Sequence, residues 1–215
     1  MRLTLFPLAA NATLFVKSLP SRKIAARQPF WRLLMPDSSR VSLLERDAAS
    51  PHAQKIYDAL LATRGVVPNM FKVLAHRPEI AQGVAGFLKP LLSDGALPGF
   101  YKELVAVRVS QHHNSTYAVR AHSISARHKG ATDPQIEGVA DFEFGPYSEK
   151  EKLGFRLADR LHQGGASVDD EFFAKVTSSF SELECIELFL TAAAFEMFPR
   201  FIDGLRIPVT PPTPK

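Results

Sequence analysis

Residues 99–130 decide the fold, and they read GFYKELVAVRVSQHHNSTYAVRAHSISARHKG. Apolar residues recur here at helical spacing, and no run alternates between apolar and polar in the way of a strand. The pattern predicts one helix from about Pro98 to His113 and a second that ends at Gly130, where a glycine can cap the helix. Asn114 is the predicted joint between them.

The sequence on either side of this pair is also helical in pattern. Ser50-Pro51 gives a capped start for a helix that Gly65 terminates. Further helices are predicted near residues 68–77, 79–92, 132–136, 148–163, 168–177 and 181–198. From about residue 42 onward no clear strand pattern is found, so the predicted fold class is all-α.

Three regions are predicted along the chain: a basic leader at 1–35, one helical domain at 36–208 and a proline-rich tail at 209–215. The leader holds six of the 26 Lys and Arg residues and no acid. These are traits of a mitochondrial transit peptide, whereas Pro7 and Asn11 interrupt the apolar run of a secretory signal. An extension upstream of a true start at Met35 stays open. The expected location is cytoplasmic, or mitochondrial if the leader is a genuine transit peptide.

Charge and hydropathy exclude two classes of partner. The chain has a formal charge of +4 and a pI of about 9.3, but the part after residue 35 carries 20 basic and 22 acidic residues. This part has no basic stripe interleaved with aromatics, which argues against nucleic-acid binding. No run approaches the roughly 18 apolar residues of a membrane-spanning helix, so no membrane partner is expected.

Cys185 is the single cysteine of the chain. One cysteine excludes an internal disulfide framework and any metal site built from several cysteines. It lies among apolar positions of the last predicted helix, and an isolated cysteine in that setting is interpreted as a small buried hydrophobe.

Two spacings in the central helix pair are informative. Glu103 precedes Ser115 by twelve residues, and Ala118 precedes His122 by four. This resembles the core motif of the carboxymuconolactone decarboxylase and AhpD-like alkylhydroperoxidase superfamily, whose peroxidase branch has a Glu, a Cys-x-x-Cys and a His at these spacings. The flanks VPNMFKVLAHRPE and FPRFIDGLRIPV are also similar to this family, so the resemblance covers about residues 40–209.

The resemblance implies an AhpD-like helical domain assembled as a homo-oligomer, a trimer or a hexamer. It also exposes a departure, because Ser115 and Ala118 stand where the peroxidase branch has its two thiols. An alanine methyl group cannot be oxidised to a sulfenic acid, and a serine alkoxide is far too basic to replace a thiolate at neutral pH. The cysteine-dependent peroxidase reaction is therefore not expected of this chain.

The decarboxylase branch implies proton-transfer chemistry, without thiols, on a small organic acid or lactone. Glu103 and His122 are then the candidate catalytic residues, with His122 as proton donor and Glu103 fixing its tautomer. The candidate pocket residues are Ser115, Tyr117 and Ala118. Arg108 and Arg120 are the candidates for binding a substrate carboxylate.

Two alternatives remain open: a peroxiredoxin-type alkylhydroperoxidase, and a non-catalytic oligomeric scaffold or binding protein. A metal interpretation of His112, His113, His122 and His128 is not favoured, because the sequence has neither an HExxH motif nor a histidine pair at i, i+4. No cofactor and no metal site are predicted.

Overall fold

A computed structural model of the chain describes residues 39–211, and all the regular structure in that range is helical. This confirms the all-α prediction. The predicted leader at 1–35 lies outside the described residues. The helices are α1 (Pro51–Arg64), α2 (Asn69–Leu74), α3 (Pro78–Leu92), α4 (Gly99–His112), α5 (Thr116–His128), α6 (Asp133–Gly138), α7 (Glu149–Gln163), α8 (Asp170–Ser179) and α9 (Glu182–Gly204), with short 3₁₀ turns at Arg46–Ala48, Val139–Asp141 and Gly165–Ser167.

The helix ends follow from local chemistry. The Ser50 hydroxyl accepts a hydrogen bond from the amide of Ala53 at the start of α1, and Gly65 ends that helix with a φ of 68°, a left-handed conformation that glycine adopts without strain. Ser148 and Ser181 open α7 and α9 through capping boxes, in which a glutamate three residues on bonds back to the serine amide.

Helix α4 is the centre of the domain. It contacts α5, α7 and α9, and residues 102–107 are buried without a break. A helix that is buried on all sides needs apolar residues around its whole circumference or polar residues that find partners. Lys102 is of the second kind, because its Nζ lies 2.8 Å from Oε2 of Glu187.

The joint between α4 and α5 is tight. Asn114 has a φ of 53°, a left-handed conformation that asparagine tolerates better than most residues. The Ser115 amide donates to the Ser110 carbonyl at 3.1 Å, and Ser115 then becomes the N-cap of α5. The turn therefore sets α5 against α4 from its first residue.

The start of the described chain lies beside the end of α9, and the segment after α9 is bonded to α2. The Arg40 amide donates to the Leu205 carbonyl at 2.8 Å, and the Asn69 side chain donates to the Pro208 carbonyl at 3.0 Å. Thr210, which the sequence placed in the tail, accepts a hydrogen bond from the Asn69 amide at 3.0 Å. Residue 210 is thus attached to the domain.

One helix boundary differs from the prediction. The last helix was predicted to end at 198, before Pro199, but α9 continues to Gly204. Phe198 and Ile202 are both buried on either side of the proline. Their packing outweighs the backbone hydrogen bond that a proline removes from a helix. No helix within residues 39–211 is long and apolar enough to cross a membrane.

Candidate functional site

A buried carboxylate joins α4 to α5. Glu103 of α4 has no solvent exposure, and its Oε2 lies 2.6 Å from Nδ1 of His122 on α5. Its other oxygen, Oε1, accepts hydrogen bonds from the Ser125 hydroxyl at 2.6 Å and from Lys129 Nζ at 2.5 Å. The pairing of Glu103 with His122 is therefore present in the structure.

The sequence analysis missed two of the three donors to Glu103. His122, Ser125 and Lys129 are spaced by three and four residues, which places them on one face of a helix. That spacing was readable from the sequence. The spacing identifies these residues as donors to Glu103 only when the structure shows that this face of the helix points toward Glu103.

The surroundings of Glu103 fix its charge. Burial by itself would raise the pKa of this carboxyl group, but the hydrogen bond and charge of His122, together with Lys129, outweigh burial and lower the pKa to about 2. Glu103 is therefore ionised at neutral pH and can only accept hydrogen bonds. It follows that Nδ1 of His122 carries the proton in this contact.

Lys129 supplies the balancing charge. Its ammonium group bonds both Glu103 Oε1 and the Leu92 carbonyl, the latter at 2.6 Å. This cation, together with the hydrogen bonds from His122 and Ser125, compensates the buried charge of Glu103.

The other side of the His122 ring contacts Phe195 and is partly exposed to solvent. The ring meets Phe195 of α9 edge to face, with 4.2 Å between the ring centroids, and 15% of the His122 side chain is exposed. Within residues 39–211, Nε2 has no hydrogen-bond partner in the protein. This nitrogen is therefore available to an external group.

The three predicted pocket residues have structural roles. Ser115 and Ala118 are buried, and the Ser115 hydroxyl accepts from the Ala118 amide as the cap of α5. The Tyr117 hydroxyl accepts from the Met70 amide and pairs with the Thr210 hydroxyl, each at 3.1 Å. Burial, the largest effect, raises the pKa of Tyr117 despite these hydrogen bonds.

The two arginines predicted to bind substrate differ in their surroundings. Arg108 forms a two-pronged ion pair with Asp159, with N–O distances of 2.6 and 2.8 Å, and also donates to the Ala140 carbonyl. Its guanidinium group is therefore occupied within the domain. Arg120 is exposed, two positions before His122 and so on a different face of α5.

Two clefts open beside Arg108. One, with a volume of about 460 Å³, is lined by the Arg108–Asp159 pair together with Phe142, Arg156 and Phe172. The other lies along the α4–α5 joint beside His112 and Asn114. Neither cleft is lined by Glu103 or His122. The predicted pocket residues Ser115, Tyr117 and Ala118 do not line either cleft.

A second cluster of titratable side chains lies where α4, α7 and α9 meet. Glu196 Oε2 is 2.9 Å from His113 Nε2, and Glu196 Oε1 is 2.8 Å from His162 Nδ1. The ring of His112 stacks on His162 at a centroid distance of 4.4 Å. The sequence analysis had grouped His112 and His113 with histidines of α5, and it missed His162 because nearly 50 residues separate it from them.

The single cysteine does not replace the missing thiols. Cys185 is buried in α9, and burial, reinforced by Glu184 and Glu182, raises the pKa of its thiol. A thiol held in the protonated form is a poor nucleophile. Its environment agrees with the interpretation as a small hydrophobe.

Comparison with known proteins identifies the central segment. A sequence model of the carboxymuconolactone decarboxylase family matches residues 78–146, which include Glu103, Ser115, Ala118 and His122. No curated protein sequence matches the chain at a significant level.

Solved structures share the fold. A peroxidase-related protein from Ralstonia eutropha, described as an alkylhydroperoxidase AhpD core, superposes with a TM-score of 0.73 at 20% identity over 82% of this chain and 94% of its own. A peroxidase-related protein from a Silicibacter species gives 0.72 at 18% identity, over 80% and 92% of the two chains. The debrominase Bmp8, in complex with 2,3,4-tribromopyrrole, gives 0.71 at 20% identity over 80% and 92%.

At these identities the structural likeness establishes the fold, and the family match rests on the sequence of the central helices. Residues 78–146 therefore match the carboxymuconolactone decarboxylase family model, and the fold is similar to that of the AhpD-like proteins.

Proposed function

We propose that the protein catalyses thiol-independent proton transfer on a small organic acid or lactone, as a decarboxylase-like lyase. His122 would be the general acid and base, and Glu103 the residue that positions it. The observation that carries this proposal is the 2.6 Å contact between His122 Nδ1 and the buried carboxylate of Glu103.

The contact suits proton transfer because it separates the two ring nitrogens by role. Glu103 holds the proton on Nδ1 and leaves Nε2 to exchange a proton with a substrate. In a decarboxylation, the bond between carbon and the carboxylate breaks and its electron pair stays on the carbon as CO₂ leaves. Nε2 of the protonated ring would give its proton to that carbon, and water would restore it.

A substrate carboxylate needs a cationic partner, and the candidates remain Arg108 and Arg120. Binding through Arg108 would require that its ion pair with Asp159 be broken. Arg120 lies on a different face of α5 from His122, so a substrate would have to extend around the helix to contact both. The exposed position of Arg120 suits contact with an incoming ligand.

The test uses carboxymuconolactone, the compound in the family name, and measures release of CO₂. We expect His122→Gln to lower turnover by about 100-fold or more, as is typical when a general acid is removed. His128→Gln is the matched control, an exposed histidine six residues further along α5, and should retain activity.

Three results would contradict the proposal. They are no decarboxylation by the natural chain, full activity of His122→Gln, or peroxide consumption by the natural chain with a dithiol donor. The last would favour the peroxiredoxin-type alternative, which Ser115 and Ala118 oppose because neither side chain carries sulfur.

The non-catalytic alternative has an observation in its favour. Helix α9 exposes Leu183, Ile186, Leu190 and Met197. An apolar stripe of this kind suits burial against another protein surface, as in the homo-oligomer that we also propose. For a pure scaffold, His122→Gln and Glu103→Gln would change stability alone.

A further inference from the structure

We propose that His113, His162 and Glu196 form a binding site for a divalent transition-metal ion such as Zn²⁺. The site is independent of the proposed proton-transfer function, because none of the three residues contacts Glu103 or His122 through a hydrogen bond. The geometry, the donor types and the access to solvent all support it.

The three ligands come from three helices that pack against one another. His113 is the C-cap of α4, His162 lies in the last turn of α7, and Glu196 lies within α9. These three helices contact one another pairwise. A site built on packed helices holds its ligands with little conformational entropy left to lose on binding.

The distances suit one small ion. One donor atom from each residue can be chosen so that all lie within 4.8 Å of one another. Zinc bonds of about 2.0–2.2 Å in a tetrahedron place neighbouring ligand atoms roughly 3.3–3.5 Å apart. The two histidines now contact different oxygens of Glu196, at 2.9 and 2.8 Å, and binding of the ion through both oxygens would open these contacts by about half an ångström.

The donor set selects the class of ion. Two imidazoles and one carboxylate are ligands typical of Zn²⁺ and related first-row metals, whereas Mg²⁺ and Ca²⁺ prefer oxygen alone. Without the ion, each ring nitrogen that faces Glu196 carries its proton and donates a hydrogen bond to the carboxylate. With the ion, each neutral ring would move that proton to its other nitrogen and offer a lone pair to the metal.

The site is accessible, and a neighbouring ring supports it. The side chains of His113, Glu196 and His162 are 12%, 16% and 30% exposed, so an ion can enter and water can complete its coordination. His112 stacks on His162 and is itself held by Asp159, at 2.6 Å, which restricts the orientation of the ring.

One neighbour competes with the ion. Arg200 lies 2.8 Å from Glu196 Oε2, but 58% of its side chain is exposed. A long exposed side chain can swing into solvent at small cost, since surface ion pairs contribute little. We therefore expect Arg200→Ala to bind the metal at least as tightly as the natural chain.

The test is titration of the chelator-treated full chain with Zn²⁺ by calorimetry, and with Co²⁺ by visible absorption. The natural chain should bind one ion. His113→Ala, His162→Ala and Glu196→Gln should each weaken binding by about 100-fold or more. The control is His128→Ala, which removes an exposed histidine outside the cluster and should leave affinity unchanged.

Thermal unfolding of each metal-free variant shows whether it is folded, and Glu196→Gln keeps the shape of the side chain in case the alanine variants unfold. The proposal is overturned if the natural chain shows no saturable binding of one ion. It is equally overturned if Glu196→Gln binds as tightly as the natural chain, or if His128→Ala loses as much affinity as the cluster variants.

Discussion

Glu103 shows how a completely buried carboxylate can remain charged. Its two oxygens accept hydrogen bonds from His122, Ser125 and Lys129, which share one face of α5 and its C-cap. Three donors, one of them a cation, offset the cost of removing a carboxylate from water. The same arrangement locks the tautomer of His122, so stability and proposed chemistry depend on one contact.

The charge of Glu103 predicts a specific dependence of stability on pH. Its pKa of about 2 lies below the unfolded value of about 4.3, so the ionised group stabilises the fold above pH 4.3 and loses this effect as pH falls toward 2. We expect Glu103→Gln to lower the free energy of unfolding by about 3 kcal/mol at pH 7. The difference between the two proteins should shrink as pH falls from about 4.3 to 2.

Urea unfolding of both proteins across this pH range measures that difference, and the carboxyl groups common to both cancel. A difference that stays constant down to pH 2 would mean that Glu103 does not stabilise the fold as an anion.

Some contacts of the candidate site were predictable from the sequence, and others were not. Glu103 and His122 were identified because their spacing resembles a known motif, and Ser125 and Lys129 shared a readable helix face with His122. The ion pair of Asp159 with Arg108 and the clustering of His162 with His113 could not be predicted. Asp159 and His162 are both on α7, and no local pattern encodes which helix packs against α4.

Among the elements, the approach of α7 to α4 depends on one glycine. A Cβ at Gly154 would overlap the hydroxyl of Tyr101, which is buried and donates to the Glu151 carbonyl at 2.7 Å. We expect Gly154→Ala to lower the free energy of unfolding by about 1–3 kcal/mol, the usual cost of overpacking.

The matched control for Gly154 is Gly86, which is exposed within α3 and has open space around its Cβ position. Gly86→Ala should raise the free energy of unfolding by about 0.5–1 kcal/mol, because alanine is the better helix former. Chemical denaturation compares the two. If both substitutions changed the free energy of unfolding equally, the close approach of α7 to α4 would not require glycine at position 154.

The helices themselves were largely predictable. Capping residues and glycines set the ends of α1, α5 and α7 within a few residues of the prediction, because these signals act locally. The predicted end of the last helix at 198 was wrong, because α9 continues through Pro199, where tertiary packing outweighs the hydrogen bond that the proline removes. The sequence indicates that α4 is the central helix only through its apolar residues. The buried charged residues Lys102 and Glu103 weaken that indication, because charged residues usually lie at the surface.

At the scale of the whole molecule, α9 bears an apolar stripe that the domain itself does not cover. Leu183, Ile186, Leu190 and Met197 recur at spacings of three, four and seven residues and therefore share one helix face. Ile186 is 58% exposed. We expect the purified protein to be a homo-oligomer with this stripe at its interface.

Analytical ultracentrifugation of the natural chain and of Ile186→Asp tests this, and the charged variant should shift toward monomer. Ile80→Asp is the control, since Ile80 is 48% exposed but lies on α3, outside the stripe. A natural chain that is monomeric at all concentrations, or an unchanged assembly in Ile186→Asp, would contradict the proposed interface.

The hydrogen bond from the Arg40 amide to the Leu205 carbonyl brings the entry and exit of the domain together. When the chain enters and leaves a domain at neighbouring points, both connections to other proteins can be made on one side of the domain. Reporter groups attached at residues 39 and 206 would therefore start from the same side of the domain and close to each other.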